Sequence, residues 1–447
     1  MCTITQVRNA LEGMFRDCAT QANIEHPVIL RQRVFTAESL AKTYVLSMLQ
    51  DPNAGSEQIA AMAASCNAPV TKQAVDKRDE PKTAGFLEAL FRRATQLIVQ
   101  SDQVLAPILE RFTQVIVSDS SSISLPDSCQ ERFRGRGGTN GCCKSALKLQ
   151  TEVELRSGRL TCVDIEQGKD ADVASPRQWV KREAGTLRIA DLGYFNIDVF
   201  IKLAICAAYF LSRIQRTTLL RIDGEVVGNV GTWLSKCKET VVDRWLVIGT
   251  QKRLSCRLIA WRVPLEVAGN RRRKLYLDHK KRRRNGPTQE ALSACDWTFL
   301  VTNLPSEKLS VKEAIVLYRA RWQIELLFKR WKSIGLVATL SGHTEARQMV
   351  RFWARLCAAL IQHWLTVLCG WRADALISFT RIAKRISANV DLLAFGLSDM
   401  ATSQQRLDEI LAHFRMKTKL PARQDKHRKP GTIELLRNPE LLDYALS

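Results

Sequence analysis

No two cysteines in this 447-residue sequence have the C-x-x-C spacing, the thirteen present are odd in number, and Cys142 and Cys143 are adjacent. That pattern argues against an ordinary disulfide framework and for reduced, mainly packing thiols in a cytosolic protein. The opening stretch, Met1 to Arg8, lacks the basic-then-apolar order of a signal peptide, and no apolar run is long enough to span a bilayer without interruption. The nearest, Phe352 to Leu368, contains Arg355, Gln362 and His363 and reads as a buried helix. Internal repeats and Gly/Ser- or Pro-rich linkers are missing too, so the folding units are expected to pack closely. Acidic residues are few: 45 Asp+Glu stand against 67 Lys+Arg, a net charge of +22. With 46% hydrophobic and 25% charged residues, the chain is neither a disordered tail, nor collagen-like, nor a histone-like polycation. At roughly 150 residues per domain, about three folding units are expected. The positive excess predicts a polyanionic partner, and with the membrane signals missing, nucleic acid is the favoured one.

The first hundred residues have a helical pattern. Ser56 to Ala64 reads as a capped helix, Ser65 to Pro69 as a turn and Val70 to Arg78 as a second helix. This is either a helix-turn-helix or a plain helical hairpin. In the former, Thr71, Lys72, Gln73 and Lys77 face outward to reach bases and phosphates. From Arg111 the pattern alternates: Val115 to Val117 reads as a strand entering a polar turn at Ser118-Asp119-Ser120, with further strands at Ala146 to Leu155, Arg159 to Ile165 and Leu187 to Gly193. Ile197 to Leu211 reads as a helix. From Ser212 to Pro287 the chain is β-rich and basic, with strands at Thr217 to Ile222, Trp245 to Thr250 and Arg257 to Val263. Clusters at Arg271 to Lys274 and Lys280 to Arg284, interleaved with Tyr276 and His279, are either solvated faces or nucleic-acid contacts. A strand at Trp297 to Thr302 is followed by helices and a basic stretch around Lys417 to Lys429 that is expected to be mobile.

One helix, from about Val311 to Ile334, carries the chemistry. At about 100° per residue, Tyr318, Arg321, Glu325, Lys329 and Lys332 share a narrow wedge between apolar flanks. Leu317, Ile324, Phe328 and Trp331 lie on one side and Ile315, Trp322 and Leu326 on the other, while Arg319, Gln323 and Arg330 form a separate polar strip. A surface helix needs one polar face, and an ion-pair ladder from Arg321 to Glu325 explains neither the tyrosine nor the flanks. A half-buried glutamate needs a partner. Asp119 and Asp191, each at the end of an expected strand, suggest one: divalent cations held by converging carboxylates, which activate an attacking oxygen and stabilise a leaving one in phosphoryl transfer.

The order Tyr318-x-x-Arg321-x-x-x-Glu325, then Lys332 seven residues on, resembles the Y-(2)-R-(3)-E-(6)-K signature of the IS4-type DDE transposases, the group that includes the Tn5 transposase. Asp191-Leu192-Gly193-Tyr194-Phe195 resembles the segment around that family's second catalytic aspartate, and Val115 to Asp119 the strand bearing the first. The resemblance implies a catalytic and metal-binding triad of Asp119, Asp191 and Glu325 that uses two Mg2+ ions, with Mn2+ able to substitute. It implies phosphate contacts from Tyr318, Arg321 and Lys332 and a DNA contact from Arg213. For Trp297 it implies stacking on a flipped base, where the residues alone allow equally a strand-end core tryptophan. Cys66 stands where such turns often carry glycine.

The expected fold is α/β: an RNase H-like core, a mixed sheet with flanking helices, interrupted by a β-rich insertion. The expected parts are a helical region at 1–105 with DNA binding at 56–78, core at 106–211, basic insertion at 212–290, core at 291–372, and a helical, dimerising C-terminal region at 373–447. The activity implied is cut-and-paste transposition of an insertion sequence by cleavage, hairpin formation and strand transfer, by a homodimer on inverted-repeat ends and target DNA in the bacterial cytoplasm, at the nucleoid. Two alternatives remain on sequence: a DNA-binding inhibitor or relic without catalysis, and a nuclease of the same fold that never joins strands.

Overall fold

A computed structural model describes residues 3–102, 104–137, 144–281, 285–333, 344–371, 379–398, 403–416 and 430–442. The Cys142-Cys143 pair, Arg282 to Arg284, Ile334 and the Lys417 to Lys429 stretch lie outside the described residues. The chain divides into two compact units: Met1–Leu105, Ser120–Asp170 and Ile324–Gln424 form one, and Ala106–Asp119, Ala171–Gln323 and Asp425–Ser447 the other. The described residues form ten strands: β1 (Val115–Leu125), β2 (Ser145–Glu154), β3 (Leu160–Gln167), β4 (Leu187–Ala190), β5 (Tyr209–Arg213), β6 (Leu219–Ile222), β7 (Glu225–Asn229), β8 (Val241–Ile248), β9 (Leu254–Arg262) and β10 (Trp297–Thr302).

The first unit is built around the helix Glu345–Gly370, whose side chains are buried from Met349 to its end. Two of the polar residues that break its apolar run, Arg355 and His363, find backbone partners inside. Arg355 Nε donates to Pro52 O at 2.8 Å, and His363 Nε2 donates to Gly158 O at 2.7 Å. This is the one described helix long and apolar enough to cross a membrane, and its apolar window is wholly buried in the protein. Helices Ala37–Gln50 and Pro81–Ala94 pack on it, and β3, β2 and the second half of β1 lie in that order in the same unit. The expected helical pair is present as Ser56–Ser65 and Lys72–Arg78, the latter capped by Thr71, whose hydroxyl accepts from Ala74 N. The turn needs its left-handed residue one position after Cys66, at Asn67 (φ 58°), where asparagine is tolerated.

In the second unit the order is β1, β4, β5, β10, β9, β8, β6, β7. The β1/β4 and β4/β5 pairs are parallel and the rest antiparallel. The sequence 3-2-1-4-5 read outward from both sides of β1 is the RNase H-like arrangement, with β6 to β9 coming from the basic segment between β5 and β10. Its core joins both parts, from Phe200 and Phe210, stacked at 4.4 Å, to Leu220, Val242, Cys256, Leu258 and Trp297.

Three expectations are corrected. The Ser118-Asp119-Ser120 segment is no turn: β1 runs straight through it for 11 residues, because ladder pairing and burial outweigh the weak strand propensity of serine and aspartate. The apolar run Ile197 to Leu211 is two elements, a helix Ile197–Ile205 and strand β5, separated where Ala207 takes a left-handed conformation (φ 53°). The chemistry-bearing helix is also two, Val311–Ala320 and Trp322–Ser333, meeting at Arg321, which keeps helical dihedrals (φ −51°, ψ −32°).

Candidate active site

Ser118 on β1 pairs in register with Ala190 on β4. The next residues on these parallel neighbours are Asp119 and Asp191, and Asp191 is still extended (φ −79°, ψ 172°) as it enters the short turn of helix Leu192–Tyr194. Adjacent strands lie about 4.8 Å apart and residues in register share a face, so two carboxylates leave the sheet side by side. β4 ends there while β1 continues, so Asp191 stands just past the carboxyl end of a central strand.

The helix Val311–Ala320, started by a capping box between Ser310 and Glu313, brings its last turn to the same place. Tyr318 donates its hydroxyl to Asp191 Oδ1 at 3.0 Å, and Arg321 Nη1 donates to Asp119 Oδ2 at 3.3 Å. Both members of the ion pair are mostly shielded, with 14% and 17% of their side chains exposed. Burial, and next the negative charge of Asp191, push the Tyr318 phenol well above its ordinary value, against the opposing pull of Arg321 and Arg213. The tyrosine is therefore a neutral donor at any physiological pH. Glu325 and Lys332 lie on Trp322–Ser333 in the first unit, Glu325 half-buried and Lys332 exposed.

Two carboxylates on neighbouring strands are hard oxygen donors, and this pair fits a divalent cation. Among the described residues no group of three or more His, Cys, Asp or Glu side chains is gathered closely enough to hold a metal ion. The two aspartates are the part of the expected triad that local geometry brings together.

Other expected site residues divide. Lys72, Gln73 and Lys77 are exposed, as is Thr71. Asp76, one turn after Lys72, and Asp79, just past the helix end, are held by Arg347. Arg213 lines a cleft of about 470 Å3 that also includes Leu192, the residue after Asp191. Trp297 borders the same cleft but is 2% exposed, with the Arg262 guanidinium 4.6 Å from its ring centroid. Its burial in the core cluster accords with the strand-end reading that the residues alone allowed equally. The first basic cluster lies on a helix, Leu265–Lys281, and is split in use. Arg271 turns inward to Trp297 O and Thr298 Oγ1, both at 2.8 Å, and Arg272 pairs with Asp296, while Arg273 and Lys274 are exposed. The expected polar strip is not solvated either: Gln323 and Arg330 are each 8% exposed, and Arg330 stacks on Phe379 at 4.9 Å.

Sequence reasoning missed Arg216 and Arg271 as cleft residues beside Arg213. Burial, and next the charge of Arg213, lower the Arg271 pKa, so the cleft concentrates positive charge. The chain does carry one signal for it, the spacing Arg213-x-x-Arg216 at the start of the basic segment.

The family model described as "Transposase DDE domain" matches residues 110–361. Among curated relatives, the transposase for insertion sequence element IS1151 of Clostridium perfringens is 29% identical over 316 residues, 65% of each chain. That for IS231F of Bacillus thuringiensis subsp. israelensis is 26% identical over 286 residues, 59% of each. The chain thus spans 65% and 59% of the length of these relatives. A solved piggyBac transposase synaptic complex with hairpin DNA aligns over 96% of this chain and 88% of that one, at 8% identity and a TM-score of 0.42. With a family match over more than half its length, enclosing Asp119, Asp191, Tyr318, Arg321, Glu325 and Lys332, the chain belongs to the DDE-domain transposases of IS4 type.

Proposed function

We propose that the protein is a DNA transposase that excises an insertion sequence and joins its 3′ ends to target DNA. The observation that carries the reading is the placement of Asp119 and Asp191 one residue beyond the registered pair Ser118 and Ala190, each already met by a residue of the Tyr-Arg-Glu-Lys signature. Asp119, Asp191 and Glu325 are the catalytic acids in this reading and hold Mg2+, for which Mn2+ can substitute. The bound cations would lower the pKa of the attacking water or 3′-hydroxyl and stabilise the leaving oxygen. Arg321 and Lys332 hold the phosphates flanking the scissile bond, Arg321 with a planar fork suited to two phosphate oxygens. Tyr318 keeps Asp191 oriented from a neutral hydroxyl. The excess of +22 draws a duplex toward the acids.

The chemistry runs as a nick at the element end, attack of the freed 3′-hydroxyl on the opposite strand to give a hairpin, reopening, and transfer to target. Using one site on two ends calls for a homodimer on inverted-repeat DNA, and the work is done in the cytoplasm at the nucleoid. Lys72, Gln73 and Lys77 read the ends. The insertion 212–290 and Arg213 grip the backbone, and the C-terminal region 373–447 provides the dimer contact.

The deciding experiment supplies end-containing DNA with Mg2+. Glu325→Gln is expected to abolish nicking while leaving DNA binding intact; full nicking would remove Glu325 from the mechanism. Pre-cleaved ends given with a target plasmid should yield joined products. Hydrolysis without joining would make the protein a nuclease, and binding without either reaction across Mg2+ and Mn2+ would make it a non-catalytic end-binder.

A further inference from the structure

We infer that Arg321 couples cation binding to phosphate binding, by occupying the carboxylate of Asp119 until a phosphodiester takes the guanidinium away. This rests on the metal reading of Asp119 and Asp191 above.

A cation entering between the two aspartates meets oxygens already in use: Asp119 Oδ2 holds Arg321 Nη1 at 3.3 Å and Asp191 Oδ1 holds the Tyr318 hydroxyl at 3.0 Å. The two contacts are unlike. A neutral hydroxyl can stay on a carboxylate that also binds a metal, since a carboxylate has about four lone-pair sites. A guanidinium brings a full positive charge to the place where a second positive charge must sit, and with both partners mostly shielded their repulsion is only partly screened.

Relief is available in the joint itself. Arg321, at the junction of Val311–Ala320 and Trp322–Ser333, needs only a change of side-chain rotamer to leave Asp119, with its backbone unmoved. A nearby phosphate offers the guanidinium an equally good bidentate partner. Each ligand then favours the same arrangement, with Arg321 on phosphate and Asp119 on metal. By linkage the coupling is reciprocal, and for such switches it is typically about 5- to 150-fold in affinity. Without DNA the site is held weakly metal-binding, which protects a metal-activated nucleophile from forming away from its substrate.

The test is Mn2+ binding to the full-length protein, followed by electron paramagnetic resonance, with and without an uncleavable duplex. Wild type is expected to bind Mn2+ at least about fivefold more tightly with the duplex. Arg321→Gln should bind as tightly without DNA as wild type does with it, and the duplex should add nothing. Tyr318→Phe, which keeps the arginine, should retain the duplex effect. Equal Mn2+ affinity of wild type with and without duplex, or an Arg321→Gln affinity no tighter than wild type without DNA, overturns the inference. Asp119→Asn separates the two levels: Mn2+ binding that survives it in wild-type strength places the metal elsewhere and removes the underlying reading as well.

Discussion

Tyr318 and Asp191 stand 127 residues apart and are joined by a hydrogen bond of 3.0 Å in which the phenol is the donor. Its direction follows from electrostatics: burial and the neighbouring carboxylate both disfavour a phenolate, so the proton stays on the tyrosine. Because the folded-state pKa is raised, the stabilisation is fully present below the unfolded value of about 10 and is lost as pH rises through the folded one. Absorbance at 295 nm should show two tyrosines, Tyr318 and the likewise buried Tyr44 beside Asp79, that ionise only as the protein unfolds in alkali, and Tyr318→Phe should remove one of them. The substitution should cost about 1 kcal/mol of stability and lower the nicking rate.

His363 makes the opposite kind of statement. Its ring is buried and donates to Gly158 O, and burial lowers its pKa to about 4. A depressed histidine is stabilising above the unfolded value of about 6.5, and that contribution is lost as pH falls toward 4, by roughly 3 kcal/mol in all. Urea unfolding between pH 7 and pH 4 should reveal this loss. His363→Gln, which can still donate to the carbonyl, should show a flatter pH dependence over that window.

Arg257 is 1% exposed and pairs through Nε and Nη2 with both oxygens of Asp243, at 2.6 and 2.7 Å, while Nη1 donates to Leu309 O at 2.6 Å. It ties β9 and β8 to the loop before the helix Val311–Ala320, which carries Tyr318. Arg257→Ala leaves a buried carbonyl unpaired and a hole in the sheet face, and should cost about 3 kcal/mol. Arg257→Lys keeps the charge without the fork and should fall between the two in a denaturant titration.

Much of this was legible in the chain. The alternation of β2, β3, β8 and β9 marked them as strands, and the wedge of Tyr318, Arg321 and Glu325 marked a helix with an unusual polar face. What escaped had no local signal. Nothing near Arg321 breaks a helix, since neither proline nor glycine is there, and the joint is set by what its two sides pack against. Serines around Asp119 favour turns locally, yet β1 passes through them, paired with β4 up to Ser118 and flanked by β2 on its other side. The burial of Arg330 depends on Phe379, 49 residues on, and such a contact has no periodicity to read.

The exposed residues of Lys72–Arg78 carry the last prediction. This helix is anchored by Arg347, which holds both Asp76 and Asp79, while Lys72, Gln73 and Lys77 are exposed on it. If those residues lie in a groove, each lysine neutralises about one phosphate, and each such contact contributes about 0.9 to the slope of log affinity against log salt. Lys72→Ala with Lys77→Ala should therefore lower that slope by nearly 2 and weaken binding to all duplexes alike. Gln73→Ala should leave the slope unchanged and reduce discrimination between element ends and unrelated DNA, because an amide reads base edges and carries no charge. Fluorescence anisotropy over a salt series measures both quantities. Identical slopes for the double variant and wild type would mean that the helical pair is a structural hairpin, and end recognition would then have to come from elsewhere in the chain.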